Sequence, residues 1–195
     1  MQAPIEFDGS LKPRPYTRRI VIHHSVSPGM TTVEQIHQWH RAKGWAGIGY
    51  HYVVRSDGTV WQGRPEDTQG AHAFDSSTRQ ANSDGIGICL CGNFEEGSPP
   101  TEAQLQALAE LIKDIWTRYP GISVIGHRDV CATACPGRLF PWSDLNNRLS
   151  ESSDDIIARA KVAGLIANDH NPQDPADKEF VLRVGLNIIN ELGGK

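Results

Sequence analysis

The chain has 195 residues and a formal net charge of −4 at pH 7, with an isoelectric point near 6.0. Binding to nucleic acid phosphates requires clustered Lys and Arg, and the sequence contains no such cluster, so nucleic acid is excluded as the main partner. No apolar run approaches the length of a membrane span, and we expect no membrane insertion. The length suffices for one medium-sized domain with about forty further residues.

The first residues, Met1 to Glu6, have no positive head followed by an apolar run. A secretory signal peptide requires both features, so none is expected. We therefore expect a protein that is made in the cytoplasm and that reaches any target outside the cell by another route.

Hydrophobic periodicity and turn residues predict alternating strands and helices. Capping boxes are expected at residues 31–34 and 101–104, each opening a helix, and residues 67–84 are expected to form a long loop. The predicted strands span residues 20–24, 50–54, 59–62, 86–90 and 123–126, and the predicted helices span residues 33–42, 101–119 and a short stretch from 142. Strands interleaved with helices around one sheet predict an α/β fold.

The stretch from Gly126 to Gly137 carries the strongest chemical signal. His127 closes a predicted buried strand, and Cys135 lies just before a Pro-Gly turn. Imidazole nitrogen and thiolate sulfur are the ligands that Zn²⁺ prefers. A third ligand has to come from elsewhere, and the best donor is His23 or its neighbour His24, at the end of an apolar strand.

The other cysteines and histidines are interpreted as structural residues. Without an export signal, disulfides are the less favoured interpretation of the four cysteines. Cys89 and Cys91 share one face of a predicted strand, where they cannot easily bridge each other, so they are expected to line the core or a groove. His37 and His40 lie on a helix among apolar residues and are expected to be surface or packing residues.

Three separated motifs together resemble a known family. They are IVIHHS at residues 20–25, GYHYVV at residues 49–54, and GHRD at residues 126–129 followed by CPG at residues 135–137. In this order and spacing they resemble the zinc-dependent N-acetylmuramoyl-L-alanine amidases, which include phage lysozymes of the amidase type and the animal peptidoglycan recognition proteins. The resemblance covers roughly residues 18–148. It implies a central mixed β-sheet flanked by helices.

The resemblance also implies one Zn²⁺ per chain. Its ligands are expected to be His23, His127 and Cys135, because the family ligand is the first histidine of the pair at residues 23 and 24. Three protein ligands leave a fourth position open for water, as catalytic zinc requires. An alternative is that Cys131 becomes a fourth ligand and closes the site.

Two catalytic residues and one substrate contact are carried over from the family. Tyr50 is expected to donate to the developing oxyanion, and His51 points to the opposite face of the strand. Thr133 occupies a position where other members carry lysine or threonine, and it is expected to position water or to contact the intermediate. His72 matches a position that lines the substrate groove, and the alternative is a solvated loop histidine.

The implied reaction is hydrolysis of the amide between N-acetylmuramic acid and L-alanine in bacterial peptidoglycan. The favoured role is that of a phage or prophage endolysin, which acts on the cell wall after release. A muropeptide-recycling or remodelling amidase and a non-hydrolytic peptidoglycan-binding module are the alternatives.

Two domains are predicted. Residues 1–149 are expected to form the zinc amidase domain, and residues 150–195 a C-terminal helical extension. About forty residues in two helices cannot bury much core alone. The extension is expected either to contact the cell wall or to serve as a structural cap.

Overall fold

The structure is a computed structural model that describes residues 5–74 and 80–150. The predicted helical extension beyond residue 150 lies outside the described residues. The elements in chain order are β1 (Arg19–His24), α1 (Val33–Ala42), β2 (Tyr52–Val54), β3 (Val60–Gln62), α2 (Gln80–Asp84), β4 (Gly85–Leu90), α3 (Glu102–Arg118), β5 (Ser123–Gly126), a 3₁₀ turn (His127–Asp129) and α4 (Trp142–Ser150).

The five strands form one mixed sheet in the order β3-β2-β4-β1-β5. β1 is parallel to both β4 and β5, β2 is parallel to β4, and only the β2–β3 hairpin is antiparallel among the described strands. The predicted α/β class with a mixed sheet is confirmed. The same edge of the sheet therefore carries the carboxyl ends of four parallel strands.

Hydrophobic clusters cover both faces of the sheet. On one face, α3 packs its buried residues Leu108, Ile112 and Ile115 against Ile20 and Ile22 of β1. Full burial of side chains of this size contributes about 1.5–3 kcal/mol each. On the other face α1 packs against β2 and β4, and the cluster there contains Val33, Ile36, Ile48, Val53, Cys89 and Cys91.

Three local predictions were wrong. The first helix is capped by Thr32, not Thr31, through a reciprocal pair of hydrogen bonds with Gln35. The predicted loop over residues 67–84 ends in α2, a short helix without an apolar period. β5 was predicted to be buried but lies at an edge of the sheet, and of its four residues only Gly126 is buried.

Candidate active site

Three possible metal ligands meet at the carboxyl edge of the sheet. The ligand atoms of His23, His127 and Cys135 all lie within 4.8 Å of one another. The Nδ1 atom of His23 is 3.8 Å from the Sγ atom of Cys135, and the rings of His23 and His127 have centroids 4.4 Å apart. His23 and Cys135 are buried, whereas His127 is partly exposed. The structure thus gathers two nitrogens and one sulfur from distant parts of the chain.

Strand register explains why the two histidines meet. Ile22 of β1 pairs with Gly126 of β5 in a parallel ladder. The residues that follow each of them, His23 and His127, therefore leave neighbouring strands at the same height. Rigid strands fix both Cα positions.

Main-chain hydrogen bonds hold the loop that returns Cys135 to this edge. The Arg128 N–H donates to the carbonyl oxygen of Cys135 at 2.9 Å, and the Cys131 N–H donates to that of His127 at 3.0 Å. Gly137 has φ +104°, and a Cβ atom there would lie 2.3 Å from the carbonyl carbon of Phe94. Position 137 of this turn therefore favours glycine, which has no side chain.

The side chain of His24 points away from the three ligand atoms. Its Nδ1 atom accepts the main-chain N–H of Phe94 at 3.0 Å, on the α3 side of the sheet. Its own main-chain N–H donates to the sulfur of Cys135 at 3.3 Å. Strand alternation therefore distinguishes the two histidines.

Cys131 is not part of this group of ligand atoms. Its thiol donates instead to the main-chain carbonyl of Phe74, at 3.4 Å. The geometry thus favours three protein ligands over a closed site with four.

Burial shifts the protonation of the three groups in opposite directions. It raises the pKa of Cys135 to about 11, against a smaller lowering by the His24 N–H. It lowers the pKa of His23 well below 6.5, with further lowering by His72 and His127. It also lowers the pKa of His127. Without a cation, neutral imidazoles and a neutral thiol are favoured here.

Tyr50 lies beside His23 and His40. Its ring centroid is 5.1 Å from that of His23 and 5.4 Å from that of His40. Burial, followed by the nearby sulfurs of Cys89 and Cys135, raises its pKa well above 10, so the phenol keeps its proton. The residue lies just before β2, which begins at Tyr52 and not at residue 50 as predicted.

A pocket of about 560 Å³ opens beside the three ligand atoms. The exposed residue Thr133 lines it, and its hydroxyl accepts the main-chain N–H of Cys135 at 3.3 Å. The lining residues are Trp45, Ala71, His72, Phe74, Asn82, His127, Cys131, Ala132 and Thr133. The partly exposed His127 and the exposed Thr133 therefore line the same pocket.

His72 lines the same pocket but also contacts a ligand candidate. Its Nδ1 atom is 2.9 Å from Nε2 of His23. Burial lowers the pKa of His72 well below 6.5, while the Gly85 carbonyl acts in the opposite direction. This contact joins residues 49 positions apart, so no local sequence pattern predicts it.

Three further histidines of the region accept hydrogen bonds from the main chain. His37 and His40 accept main-chain N–H groups of Ile48 and Gly49 through Nδ1, at 3.2 and 2.9 Å. His51 is fully buried, and its Nδ1 atom accepts the N–H of Gly87 at 2.9 Å. The expectation that His37 and His40 are packing residues is confirmed.

None of the four cysteines forms a disulfide within the described residues, in agreement with the interpretation that the sequence favoured. Cys89 and Cys91 are buried in the cluster under α1. The Cys91 thiol donates to the main-chain carbonyl of Thr31 at 3.3 Å. The two side chains are core residues.

Sequence reasoning missed two contributors to the pocket. Asn82 of α2 accepts the main-chain N–H groups of His72 and Ala73 through Oδ1, at 2.7 and 2.9 Å. Trp45 adds an aromatic wall and is 39% exposed. Nothing in the pattern around either residue distinguishes it from an ordinary loop or helix residue, because its place depends on tertiary contacts.

Among the residues that the structure describes, no helix combines the length and apolar character that a membrane span requires.

Comparison with known proteins agrees with this geometry. The sequence profile described as N-acetylmuramoyl-L-alanine amidase matches residues 12–138. The endolysin of Klebsiella phage KP32 is 37% identical over 140 residues, which is 68% of this chain and 89% of the relative. A solved structure of the endolysin amidase LysCS from Clostridium intestinale URNW is 32% identical with a TM-score of 0.70, covering 77% of this chain and 95% of that one.

A Drosophila peptidoglycan recognition protein, PGRP-SD, has the same fold. It is 28% identical with a TM-score of 0.61, covering 70% of this chain and 84% of that protein. The fold and the matched sequence profile are those of an amidohydrolase acting on cell-wall material. The chain belongs to the N-acetylmuramoyl-L-alanine amidase family, and the resemblance seen in its motifs is confirmed.

Proposed function

We propose that this protein is a zinc-dependent endolysin that cleaves the amide between N-acetylmuramic acid and L-alanine in peptidoglycan. Its proposed zinc ligands are His23, His127 and Cys135. The observation that carries the proposal is the convergence of these three ligand atoms within 4.8 Å beside an accessible pocket.

The spacing of one donor pair, that of His23 and Cys135, fits zinc. In a tetrahedral site with Zn–N near 2.05 Å and Zn–S near 2.3 Å, a nitrogen and a sulfur ligand are about 3.6 Å apart. The Nδ1 atom of His23 and the Sγ atom of Cys135 are 3.8 Å apart. The N–H of His24 at 3.3 Å from the sulfur is also the donor that a thiolate would accept from.

Three protein donors leave one coordination position for solvent or substrate. A zinc ion held by these residues would lower the pKa of a coordinated water and would polarise a carbonyl group, which is what amide hydrolysis requires. The pocket beside His127 gives the substrate access to that position.

The proposed role of Tyr50 is to donate to the oxygen on which charge develops. Its raised pKa keeps the phenol protonated at neutral pH, and its ring lies 5.1 Å from that of His23. A fixed donor in a buried site contributes most where the charge appears only in the transition state.

Thr133 is proposed to orient water or the tetrahedral intermediate. Its hydroxyl oxygen already accepts the N–H of Cys135, so the O–H group has a defined position at the pocket wall. The residue carries no charge, and stabilisation of an oxyanion therefore falls mainly to the metal and Tyr50.

The relatives support the biological role. Similar chains are named endolysins of Klebsiella phage KP32 and Enterobacteria phage T3. Phage endolysins act on the cell wall after release, and we propose the same for this protein. The domain boundary after residue 149 and a wall contact by residues 150–195 remain predictions. Removal of residues 150–195 tests both, because thermal unfolding shows whether residues 1–149 fold alone and a wall-binding assay shows whether the removed residues contact the wall.

The assay that tests the function uses isolated bacterial sacculi and soluble muropeptides, with and without a zinc chelator. We expect new L-alanine amino termini from sacculi, no new reducing sugar ends, and loss of the activity on chelation. Cleavage of soluble fragments alone would favour the recycling amidase. Wall binding without any cleavage would favour the non-hydrolytic module.

A further inference from the structure

His23 has two ring nitrogens, and the structure gives each a different neighbour. Nδ1 faces the Cys135 sulfur at 3.8 Å, and Nε2 lies 2.9 Å from Nδ1 of His72. A neutral imidazole carries one proton, and the nitrogen that binds a metal must be free of it. If Nδ1 of His23 is the ligand, its proton resides on Nε2.

The tautomer of His72 follows from the same reasoning. The Nε2–H group of His23 can donate only to an unprotonated nitrogen, so Nδ1 of His72 is the acceptor and its proton lies on Nε2. The opposite assignment would place a proton on Nδ1 of His23, where it would block coordination.

We propose that His72 is a positioning residue, which holds His23 in the tautomer and ring orientation that zinc binding requires. The inference rests on the proposed zinc site. It gives His72 a function different from the substrate contact expected from the family resemblance.

Packing and hydrogen bonds hold the ring of His72 in one orientation. Only 8% of the residue is exposed. A Cβ atom on Gly70 or Gly87 would lie 2.3 or 2.5 Å from its Cδ2 atom, so both glycines leave room for the ring. Asn82 anchors the main chain of residues 72 and 73. The orientation of the acceptor is thus fixed from several directions.

Outer partners of metal-binding histidines set ligand basicity and orientation, and their loss weakens metal binding by about 10–100-fold. The matched variants are His72→Asn and His72→Leu. They have the same shape, but only asparagine places an oxygen acceptor where Nδ1 of the histidine was. Competition with a chromophoric chelator measures their zinc affinity, and thermal unfolding of the metal-free proteins verifies that both fold.

We expect His72→Asn to bind zinc within a few-fold of the wild type and His72→Leu to bind about 10–100-fold more weakly. Equal zinc affinity of the two variants would overturn the inference. So would a raised KM in both with unchanged zinc affinity, which is the result expected of a substrate contact. A wild-type protein that binds no zinc would instead overturn the proposed function itself.

A measurement on the wild type makes the test independent of the variants. Nitrogen–proton correlation spectra of the imidazole rings in the zinc-loaded protein report which nitrogen carries each proton. We expect protonated Nε2 and bare Nδ1 for His72. A proton on Nδ1 of His72 would contradict the inference.

Discussion

Burial acts in opposite senses on the residues that surround the proposed zinc. It raises the pKa of the Cys135 thiol to about 11 and lowers that of the His23 imidazole well below 6.5. The imidazoles are therefore ready to coordinate at neutral pH, whereas the thiol must lose a proton to the solvent when a cation binds. Zinc binding therefore competes with protonation at Cys135 more than at the histidines.

Cys135→Ser is expected to lose zinc binding and hydrolysis, because a serine hydroxyl does not replace a thiolate as a zinc ligand. Zinc content of the purified variant and product release from sacculi measure both losses. The matched control is Cys131→Ser, since the Cys131 thiol donates to the Phe74 carbonyl and is not among the clustered ligand atoms. Full activity of zinc-free Cys135→Ser would refute the metal assignment.

Tyr50→Phe is expected to retain zinc and to lower kcat by about tens- to hundreds-fold, the effect of removing one oxyanion donor. Steady-state kinetics on soluble muropeptides separate this loss from a change in KM. Tyr52→Phe serves as control, because the Tyr52 hydroxyl donates to Glu66 away from the site. Unchanged turnover of Tyr50→Phe would remove this phenol from the mechanism.

At the scale of elements, the register between β1 and β5 determines which side chains meet at the site. The pairing of Ile22 with Gly126 places His23 and His127 side by side, and the turn at residues 135–137 returns the sulfur to them. The end of β1 and the 3₁₀ turn after β5 carry the nitrogens, and a loop held by hydrogen bonds carries the sulfur. Conformation of that loop therefore controls metal binding.

Gly137→Ala tests the loop. Its φ of +104° disfavours a side chain, and the new Cβ atom would overlap the Phe94 main chain. We expect weaker zinc binding together with lowered stability, measured by chelator competition and urea unfolding. Gly121→Ala is the control, because Gly121 also has a positive φ of +77° but no heavy atom within 4 Å of a Cβ. Gly121→Ala should lower stability by about 1 kcal/mol and leave zinc affinity unchanged.

Local sequence patterns predicted most of the helices and strands, and the family resemblance predicted the three side chains that cluster at the site. Apolar runs and capping residues predicted the strands and both long helices, because their signals are local. The exposed edge position of β5 depends on strand order, which no local pattern contains. The α2 helix has no apolar period, and the contact between His72 and His23 forms only when the sheet and its loops assemble.

At the scale of the whole molecule, buried neutral histidines link stability to pH. Burial lowers the pKa of His51 to about 3 and that of His40 to about 4. Above pH 6.5 both are neutral in the folded and the unfolded chain. Below it the unfolded chain binds protons that the folded chain does not, so the free energy of unfolding falls as the pH falls.

We expect the metal-free protein to lose up to about 1.4 kcal/mol of stability per pH unit for each such histidine between pH 6 and pH 4. Urea unfolding at several pH values measures the slope. His40→Asn keeps an acceptor for the Gly49 N–H but cannot titrate, and it should lower the slope by close to one proton. An unchanged slope in this variant would contradict the assignment of a buried neutral His40.

The zinc environment itself is the most direct test. X-ray absorption at the zinc edge of the reconstituted wild-type protein should show one zinc per chain with two nitrogen ligands, one sulfur ligand and one oxygen from solvent. A protein that takes up no zinc, or a zinc bound by four protein ligands without solvent, would contradict the account.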